Sequence, residues 1–513
     1  MKNLFDRLGP VTRILLIIII VGPIAWFGYK GGWFDKSKTT ANSEQSEKLS
    51  SDDKDNVINV CVVTWGGYAG GQYFNEGFKA SKESRFFKEY GILVEFKLID
   101  DFNASREAFK SGDVDLIWQT ADAFPTEAQG MKDLDPKIIF QSDWSRGGDA
   151  LVARRGINNV SDLKGKKIAV APMTPSHTFL LNLLNSSGLK HTDVQIIEVA
   201  NAMDAADLFK KQKVDAAIVW SPDDQACVEA IEGSKIVVNT KTAKNIIADV
   251  FIAKKSFIES HRTQLLSLIE GWLKGSAELN SNAANKDHAA AILAEGLSQP
   301  KDFCLGAINN ARLCTYGDNM NFFNLSGKYD GVTGEDLYSN MTTMYTDAGV
   351  IKGNVPSWRI VSDASLIKDI TKLTSVDDAA EGVESFVPSS KKDEVAESIS
   401  SKKVSISFST GKYELDDNAK YIIDKEFANI AKGFSGAKIR IEGNTDNVGN
   451  ETSNKSLSHK RAQAVADYLI SNYNFDKNRI VVLGNGSDKP IADNNSDSGR
   501  SQNRRTDFEL IAQ

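Results

Sequence analysis

Two short runs in the middle of the chain carry residue types suited to holding a small molecule. Trp65-Gly66-Gly67-Tyr68-Ala69-Gly70-Gly71 follows the apolar run Val57–Thr64, and its glycines let backbone N–H groups approach a ligand. Thr174-Pro175-Ser176-His177 opens a helical stretch, with Thr suited to the N-cap and Pro to the first helical position. The exposed N–H groups and positive dipole end of such a terminus suit an anion. Gln119 and Asp122 end one strand-like run and Trp220-Ser221 another. Ligands of open α/β sheets sit beyond the carboxyl ends of strands. Trp65, Tyr68, Trp118 and Trp220 can instead cage a cation, although Trp118, inside its strand, reads as core. An anion is the first expectation for the ligand and an amine-bearing solute the second.

Other chemistries find little support. The five His residues (177, 191, 261, 288 and 459) are scattered, so no metal site can be drawn, and no cofactor is implied. The strand ends offer no Ser/His/Asp or Cys/His arrangement, which argues against an enzyme. Four Cys (61, 227, 304 and 314) are too few for a disulfide scaffold. Cys304 and Cys314 are ten apart, and read either as a disulfide worth about 3 kcal/mol or as two buried thiols. A formal net charge of −7 without a basic segment argues against nucleic acid.

The elements that position these residues alternate. Strand-like runs at Val57–Thr64, Ile92–Ile99, Asp115–Gln119, Lys167–Ala171, Val194–Val199 and Ala216–Trp220 are separated by helical stretches such as Ala104–Ser111, His177–Ser186 and Ala202–Lys211. That alternation predicts two parallel α/β sheets. Before them, Ile14–Tyr29 is uncharged and apolar. Extended to Val11 it spans about 28 Å, close to a bilayer core. Trp26, Tyr29 and Trp33 crowd its far end, and no small-residue cleavage site follows, so an uncleaved anchor is favoured over a signal peptide. Lys2, Arg7 and Arg13 before the span predict a cytoplasmic N-terminus and a periplasmic body. Residues 35–56 and 371–402 are polar and read as linkers.

Gly112-Asp-Val-Asp-Leu-Ile-Trp118, Lys213-Val-Asp-Ala-Ala-Ile-Val-Trp-Ser-Pro222 and Val160-Ser-Asp-Leu-Lys-Gly-Lys-Lys-Ile-Ala-Val170 resemble periplasmic solute-binding proteins. The nearest branch serves nitrate, sulfonate, taurine and thiamine-precursor uptake. The resemblance covers roughly residues 57–370 and implies two lobes closing over a cleft, with crossings near Gly147–Val152 and Ala248–Ala253 and lobe two at about 150–248. It also implies that the turn at Thr174 faces the cleft. The expected solute site is Trp65, Gly66, Gly67, Tyr68, Gln119, Asp122, Thr174, Ser176, His177, Trp220 and Ser221.

From residue 403 onward, strands (404–408, 437–443, 479–484 and 506–511) and helices (416–432 and 455–472) predict a compact α/β sandwich. Ile441-Glu-Gly-Asn-Thr-Asp-Asn-Val-Gly449, Asn454-Lys-Ser-Leu-Ser-His-Lys-Arg-Ala462 and Gly499-Arg-Ser-Gln-Asn-Arg-Arg505 resemble the OmpA-like family of wall-binding domains. The resemblance implies that Asp446 pairs with the ammonium of a diaminopimelate stem peptide and Arg461 with its carboxylate, supported by Thr445, Asn454 and Arg504. Asn444 replaces the His usual in relatives, and Ser409 stands where many carry Asp.

Together these readings predict a multidomain α/β protein. It has a stub and transmembrane helix (1–34), a linker (35–56), a two-lobed solute-binding domain (57–370), a second linker (371–402) and an OmpA-like peptidoglycan-binding domain (403–513). The expected function is a single-pass receptor in the bacterial inner membrane that binds a small solute and holds the wall. The alternative is a stator-like or scaffold subunit of a wall-anchored membrane complex, with a partner membrane protein and the solute-binding fold used for protein interaction. A proton-driven stator needs an acidic residue in its span, and Ile14–Tyr29 has none.

Overall fold

The structure is a computed structural model that describes residues 50, 53, 56–327, 329–373, 378–406, 408 and 411–513. The apolar run Ile14–Tyr29, most of the first linker and Ser409 lie outside the described residues. Among the described residues no helix is long and apolar enough to cross a membrane.

Fifteen strands are described. The first four are β1 (Val57–Val62), β2 (Leu93–Leu98), β3 (Leu116–Thr120) and β4 (Pro136–Ser145). Next come β5 (Asp149–Ala153), β6 (Lys167–Val170), β7 (Gln195–Glu198), β8 (Ala216–Trp220) and β9 (Lys235–Asn239). The chain then returns through β10 (Ala248–Lys254) and β11 (Ala311–Leu313). The last four are β12 (Ser398–Val404), β13 (Lys438–Asn444), β14 (Ile480–Gly486) and β15 (Thr506–Ile511). They form three sheets, ordered β11-β4-β10-β3-β1-β2, β7-β6-β8-β5-β9 and β12-β15-β13-β14.

The first two sheets are the lobes of the middle block. The strands read from helix alternation are parallel: β1 with β2 and β3, and β6 with β7 and β8. The strands next to the crossings are not. β10 runs antiparallel to β3 and β4, and β5 antiparallel to β8 and β9. The sheets are therefore mixed rather than parallel, because the chain changes lobe twice and each returning strand enters from the cleft end. The crossings are the short turn 146–148 between β4 and β5 and the segment 240–247 between β9 and β10.

Lobe one is built around an aromatic cluster. Phe140 and Phe251 stack at 5.2 Å, and Trp272 meets Phe251 at 4.8 Å. The short helix Ala69–Phe74 lies directly on the long helix Arg262–Ser281, because a Cβ at Gly275 would fall 2.3 Å from the Gly70 carbonyl oxygen. Gly71 is likewise filled over by Trp272, so the later glycines of the WGGYAGG run serve helix packing and not ligand approach.

The third sheet carries the helix Glu451–Tyr473 against β13 and β14, with Phe427 stacked on Phe508 at 4.4 Å. Its first strand runs over Ser398–Val404 instead of the expected 404–408, and β12 and the helix Lys391–Glu394 begin inside the stretch read as a linker. Leu49–Gln513 forms one compact unit, and the core of lobe two continues into the C-terminal domain. The Ser400 hydroxyl bonds to those of Ser186 (2.7 Å) and Ser187 (2.8 Å). The Asn245 amide donates to the Gly433 carbonyl (3.0 Å) and the Gly436 amide to Thr242 (3.1 Å).

All four cysteines are free and buried, so the candidate pair Cys304 and Cys314 forms no disulfide. Cys304 packs in the small cluster around Leu293 and Ile308, whereas Cys314 belongs to the main core of lobe one.

Candidate functional site

The carboxyl ends of the parallel strands and the starts of β5 and β10 meet at the cleft, and the lobes are closed on each other. The Thr178 hydroxyl of lobe two bonds to that of Tyr345 of lobe one at 2.8 Å. Asn310 Nδ2 donates to Ser221 Oγ at 3.1 Å, and the Trp220 ring lies 6.3 Å from Phe102. The expected solute residues are drawn into this region, most of them buried.

After β1, the Trp65 indole donates to both Asp143 carboxyl oxygens at 3.3 Å, and its ring lies over Gly148. Gly67 leaves room for the Asp143 carboxyl, and Gly66 for the backbone at Ala307. The Tyr68 hydroxyl donates to Asp249 at 2.8 Å. After β3, Gln119 Nε2 donates to Glu127 (2.8 Å), and Asp122 accepts from the Ala248 amide (3.1 Å) and Thr120 (3.2 Å). At the start of the helix Pro175–Ser186, Thr174 Oγ1 donates to the Ala171 carbonyl at 2.9 Å. Thr174 thus does not cap with its side chain, and Ser176 Oγ is buried with no partner. His177 Nδ1 accepts from the Met173 amide at 3.2 Å, and its ring meets Tyr345 edge-on. The Trp118 indole N–H also lacks a hydrogen-bond partner, whereas the Trp220 side chain bonds to Asp149.

The structure adds three residues that the sequence reading did not single out: Asp143 near the end of β4, Asp149 opening β5 and Asp249 in β10. Each flanks a crossing, and their convergence depends on the antiparallel return strands. Burial pushes Asp122 and Asp149 up to about 7, and raises Asp143 and Asp249 as well. Burial also lowers His177 to about 4, which keeps it neutral.

A carboxyl held above its unfolded value near 3.8 contributes stability that is complete below that value and is lost as pH climbs through the folded value. The Asp149 contribution therefore disappears between about pH 4 and 7. His177 acts in the opposite sense, losing its contribution as pH falls from 6.5 to about 4. Urea denaturation of the ligand-free protein at pH 5 and pH 8 checks this. Asp149→Asn is expected to be more stable relative to wild type at pH 8 than at pH 5, and an equal difference at both would contradict it.

In the C-terminal domain the five expected wall-binding residues lie close together. Asp446 follows β13 and accepts from Arg504 Nη1 at 2.6 Å and from the Val448 amide at 3.1 Å. Asn454 Nδ2 ties down the same loop through the Val448 carbonyl (3.1 Å). Arg461 sits on the helix Glu451–Tyr473, with Nε donating to the Lys412 carbonyl (3.1 Å) and its guanidinium 4.8 Å from the Phe408 ring. Burial, and then the positive charge of Arg504, lower the Arg461 pKa. Thr445 is held by its amide on the Gly486 carbonyl (2.8 Å), while its hydroxyl is buried without a partner. Asn444 bonds to Asp507 (3.1 Å), a structural place for the residue that replaces His.

Two family models match the chain: OmpA family over residues 407–504, and NMT1/THI5 like over residues 76–284. Outer membrane porin F of Pseudomonas aeruginosa is 34% identical over 108 residues, 21% of this chain and 31% of that protein. Peptidoglycan-binding protein ArfA of Mycobacterium bovis is 40% identical over 90 residues, 18% of this chain and 27% of that protein. In the middle block, the taurine-binding periplasmic protein of Escherichia coli is 27% identical over 187 residues, 36% of this chain and 56% of that protein. The chain thus spans about a third or less of the first two relatives and just over half of the third.

The chain therefore carries an OmpA-like C-terminal domain and a periplasmic-binding middle domain of the sulfonate and taurine type. By name the relatives include taurine-binding, aliphatic sulfonates-binding and peptidoglycan-binding proteins. One expectation is corrected. The C-terminal domain's relatives in Pseudomonas, Acinetobacter and Bordetella are outer-membrane proteins by name, which speaks against an inner-membrane location, partner and anchor. The span and charge bias at the N-terminus carried that reading, and they do not distinguish which membrane the folded body serves.

Proposed function

We propose that this chain is a wall-attached periplasmic scaffold. Residues 403–513 grip peptidoglycan, and the two-lobed body of residues 57–370, joined through 371–402, is held out from that grip to a partner protein. The observation that supports this most is the convergence of Asp446, Arg461 and Arg504. One carboxylate beside two guanidiniums matches a ligand carrying an ammonium and a carboxylate on one carbon, as diaminopimelate does. Thr445 and Asn454 set the loop that carries Asp446. The apolar run Ile14–Tyr29 adds a membrane tether, and the relatives favour an outer-membrane setting. The shared core of lobe two and the C-terminal domain suits a rigid scaffold.

A second role is supported by the buried, unpartnered Ser176 hydroxyl and Trp118 indole N–H: the cleft keeps a small solute. Its lining would be Trp65, Gly66, Gly67, Tyr68, Gln119, Asp122, Thr174, Ser176, His177, Trp220 and Ser221. The test of the main reading is co-sedimentation of the purified protein with diaminopimelate-type sacculi. Binding that free diaminopimelate displaces is expected. Full recovery in the supernatant would remove the wall grip and leave the domain as a protein-interaction module.

A further inference from the structure

The segment 378–387, inside the stretch read as a linker, has no regular structure but is fixed at both ends. Asp378 and Phe386 are buried, whereas Val383 between them is 90% exposed. On lobe one, the Gly317 amide donates to the Asp378 carbonyl (2.8 Å) and Thr315 Oγ1 to that of Ala379 (2.9 Å). The Glu381 amide donates to Asp318 (2.6 Å). The approach at Gly317 is close, because a Cβ there would fall 2.3 Å from the Ala380 nitrogen. On the C-terminal domain, the Phe386 amide donates to Asp476 (3.4 Å) and Gln513 Nε2 to the Ser385 carbonyl (3.1 Å). The Arg479 guanidinium lies 5.5 Å from the Phe386 ring.

Between these anchors the segment meets both crossings of the two-lobed body. Arg146, in the turn 146–148, donates through Nη2 to Glu381 at 2.7 Å. Lys244, in the segment 240–247, pairs with Glu384. The Arg146 side chain is 10% exposed, and its Nε and Nη1 have no hydrogen-bond partner. Glu381 thus accepts the side-chain hydrogen bond that Arg146 makes among the described residues, and without it a buried guanidinium is left unpaired at a large cost. A cavity of about 290 Å³ lies between Trp144 and Phe322 of lobe one, Tyr473 and Phe475 of the C-terminal domain, and Glu381 and Phe386 of the segment. At that place the segment, and not a shared core, links lobe one to the C-terminal domain.

We propose that residues 378–387 are a strap that holds the two lobes closed, by fastening lobe one and both crossings to the domain already docked on lobe two. Opening the cleft turns one lobe against the other about the two crossings. With the C-terminal domain attached to each lobe, that rotation must break one attachment. The attachment to lobe two is a common apolar core with backbone hydrogen bonds. The strap is held by polar contacts, and the carboxylates of its two ion pairs are partly exposed. Ion pairs of that kind are weak and are screened by salt, so the strap is the point of release. While it is fastened, the Thr178–Tyr345 bond between the lobes stays made. The cleft exchanges its contents only when Glu381 and Glu384 leave the crossings. This goes beyond the scaffold reading and does not depend on what the wall domain grips or on what the cleft holds.

The experiment places one spin label on each lobe of the full chain, through Met203→Cys on lobe two and Ile360→Cys on lobe one, both exposed positions. All four native cysteines are buried, so the labels go to the introduced thiols. Distances are read by double electron–electron resonance without sacculi, which keeps the outcome separate from the wall grip. The native strap is expected to give one narrow distribution. Glu381→Lys/Glu384→Lys sets like charges against Arg146 and Lys244, and the ratio of displaced to closed distances is expected to rise by roughly tenfold or more. Glu384→Lys alone is expected to open the lobes in part. Adding Lys244→Glu to it should close them again, because the pair is restored with its signs exchanged. That rescue separates a strap from damaged folding, which an exchange of signs would not repair. A double reversal that keeps the native distribution, or an exchanged pair as open as Glu384→Lys alone, would overturn the proposal. So would a native strap that already shows both populations in comparable amounts.

Discussion

Arg461→Ala and Asp446→Ala are each expected to reduce binding to sacculi by roughly tenfold or more, and together by about a hundredfold. Each residue offers a charge-assisted contact, typically worth about 1.5–3 kcal/mol, and 1.4 kcal/mol is a factor of ten. Arg461 is set for this role before any ligand arrives. Its Nε is spent on the Lys412 carbonyl and its plane lies against Phe408, so the remaining N–H groups keep a fixed direction. The neighbouring positive charge of Arg504 disfavours the charged form of Arg461, and an incoming carboxylate relieves that repulsion. Arg461→Lys is expected to bind nearly as poorly as Arg461→Ala, because a point charge cannot reproduce the planar fork. Arg504→Ala should cost less, since Arg504 is largely exposed and partly satisfied by Asp446. Sedimentation at fixed sacculus concentration, read by the free fraction, gives all five numbers. A double variant that still pellets like wild type would move the grip elsewhere in the domain.

The C-terminal site was legible because its residues are close in sequence to elements with strong patterns. Asp446 follows a strand buried along its whole length whose sequence alternates polar and apolar residues, and Arg461 lies on a helix long enough to be unmistakable. The cleft was legible only in part. Trp65, Tyr68, Asp122, Ser176 and Trp220 each end or follow a strand, so the rule for strand ends found them. Asp143, Asp149 and Asp249 obey the same geometry, but in strands whose direction helix alternation does not reveal. Their neighbours in sequence, Trp144 and Val250, look like any half-buried strand. The glycines after Trp65 show the opposite error. Their spacing suits a ligand, yet at Gly70 and Gly71 the space is taken by the helix that carries Trp272 and Ser276. The docking of the C-terminal domain on lobe two was not readable at all, because Ile246, Ile430 and Phe434 read as ordinary core positions of their own domains.

That docking predicts the second large effect. Ile246 is 1% exposed and faces Gly433, where an added Cβ would sit 3.4 Å from its Cγ1. Around it the backbone of lobe two and that of the C-terminal domain exchange hydrogen bonds at Asn245–Gly433 and Thr242–Gly436. Two domains joined by a common apolar core and by backbone bonds melt together, so wild type is expected to give one calorimetric transition. Ile246→Asp places a carboxylate in this core with no partner and no water. Leaving it buried costs several kcal/mol, more than a limited domain interface supplies, so the domains separate and the charge becomes hydrated. The transition should split in two, with the earlier one lowered by about 3 kcal/mol or more in stability. The radius of gyration from scattering should rise. Ile246→Val, which keeps most of the apolar volume, should retain one transition. Sacculus binding should survive in Ile246→Asp, because Asp446 and Arg461 hold their ligand from within the C-terminal domain alone. A single unchanged transition in Ile246→Asp would mean that the two domains are not one cooperative unit, and a scaffold built on their rigidity would lose its physical basis.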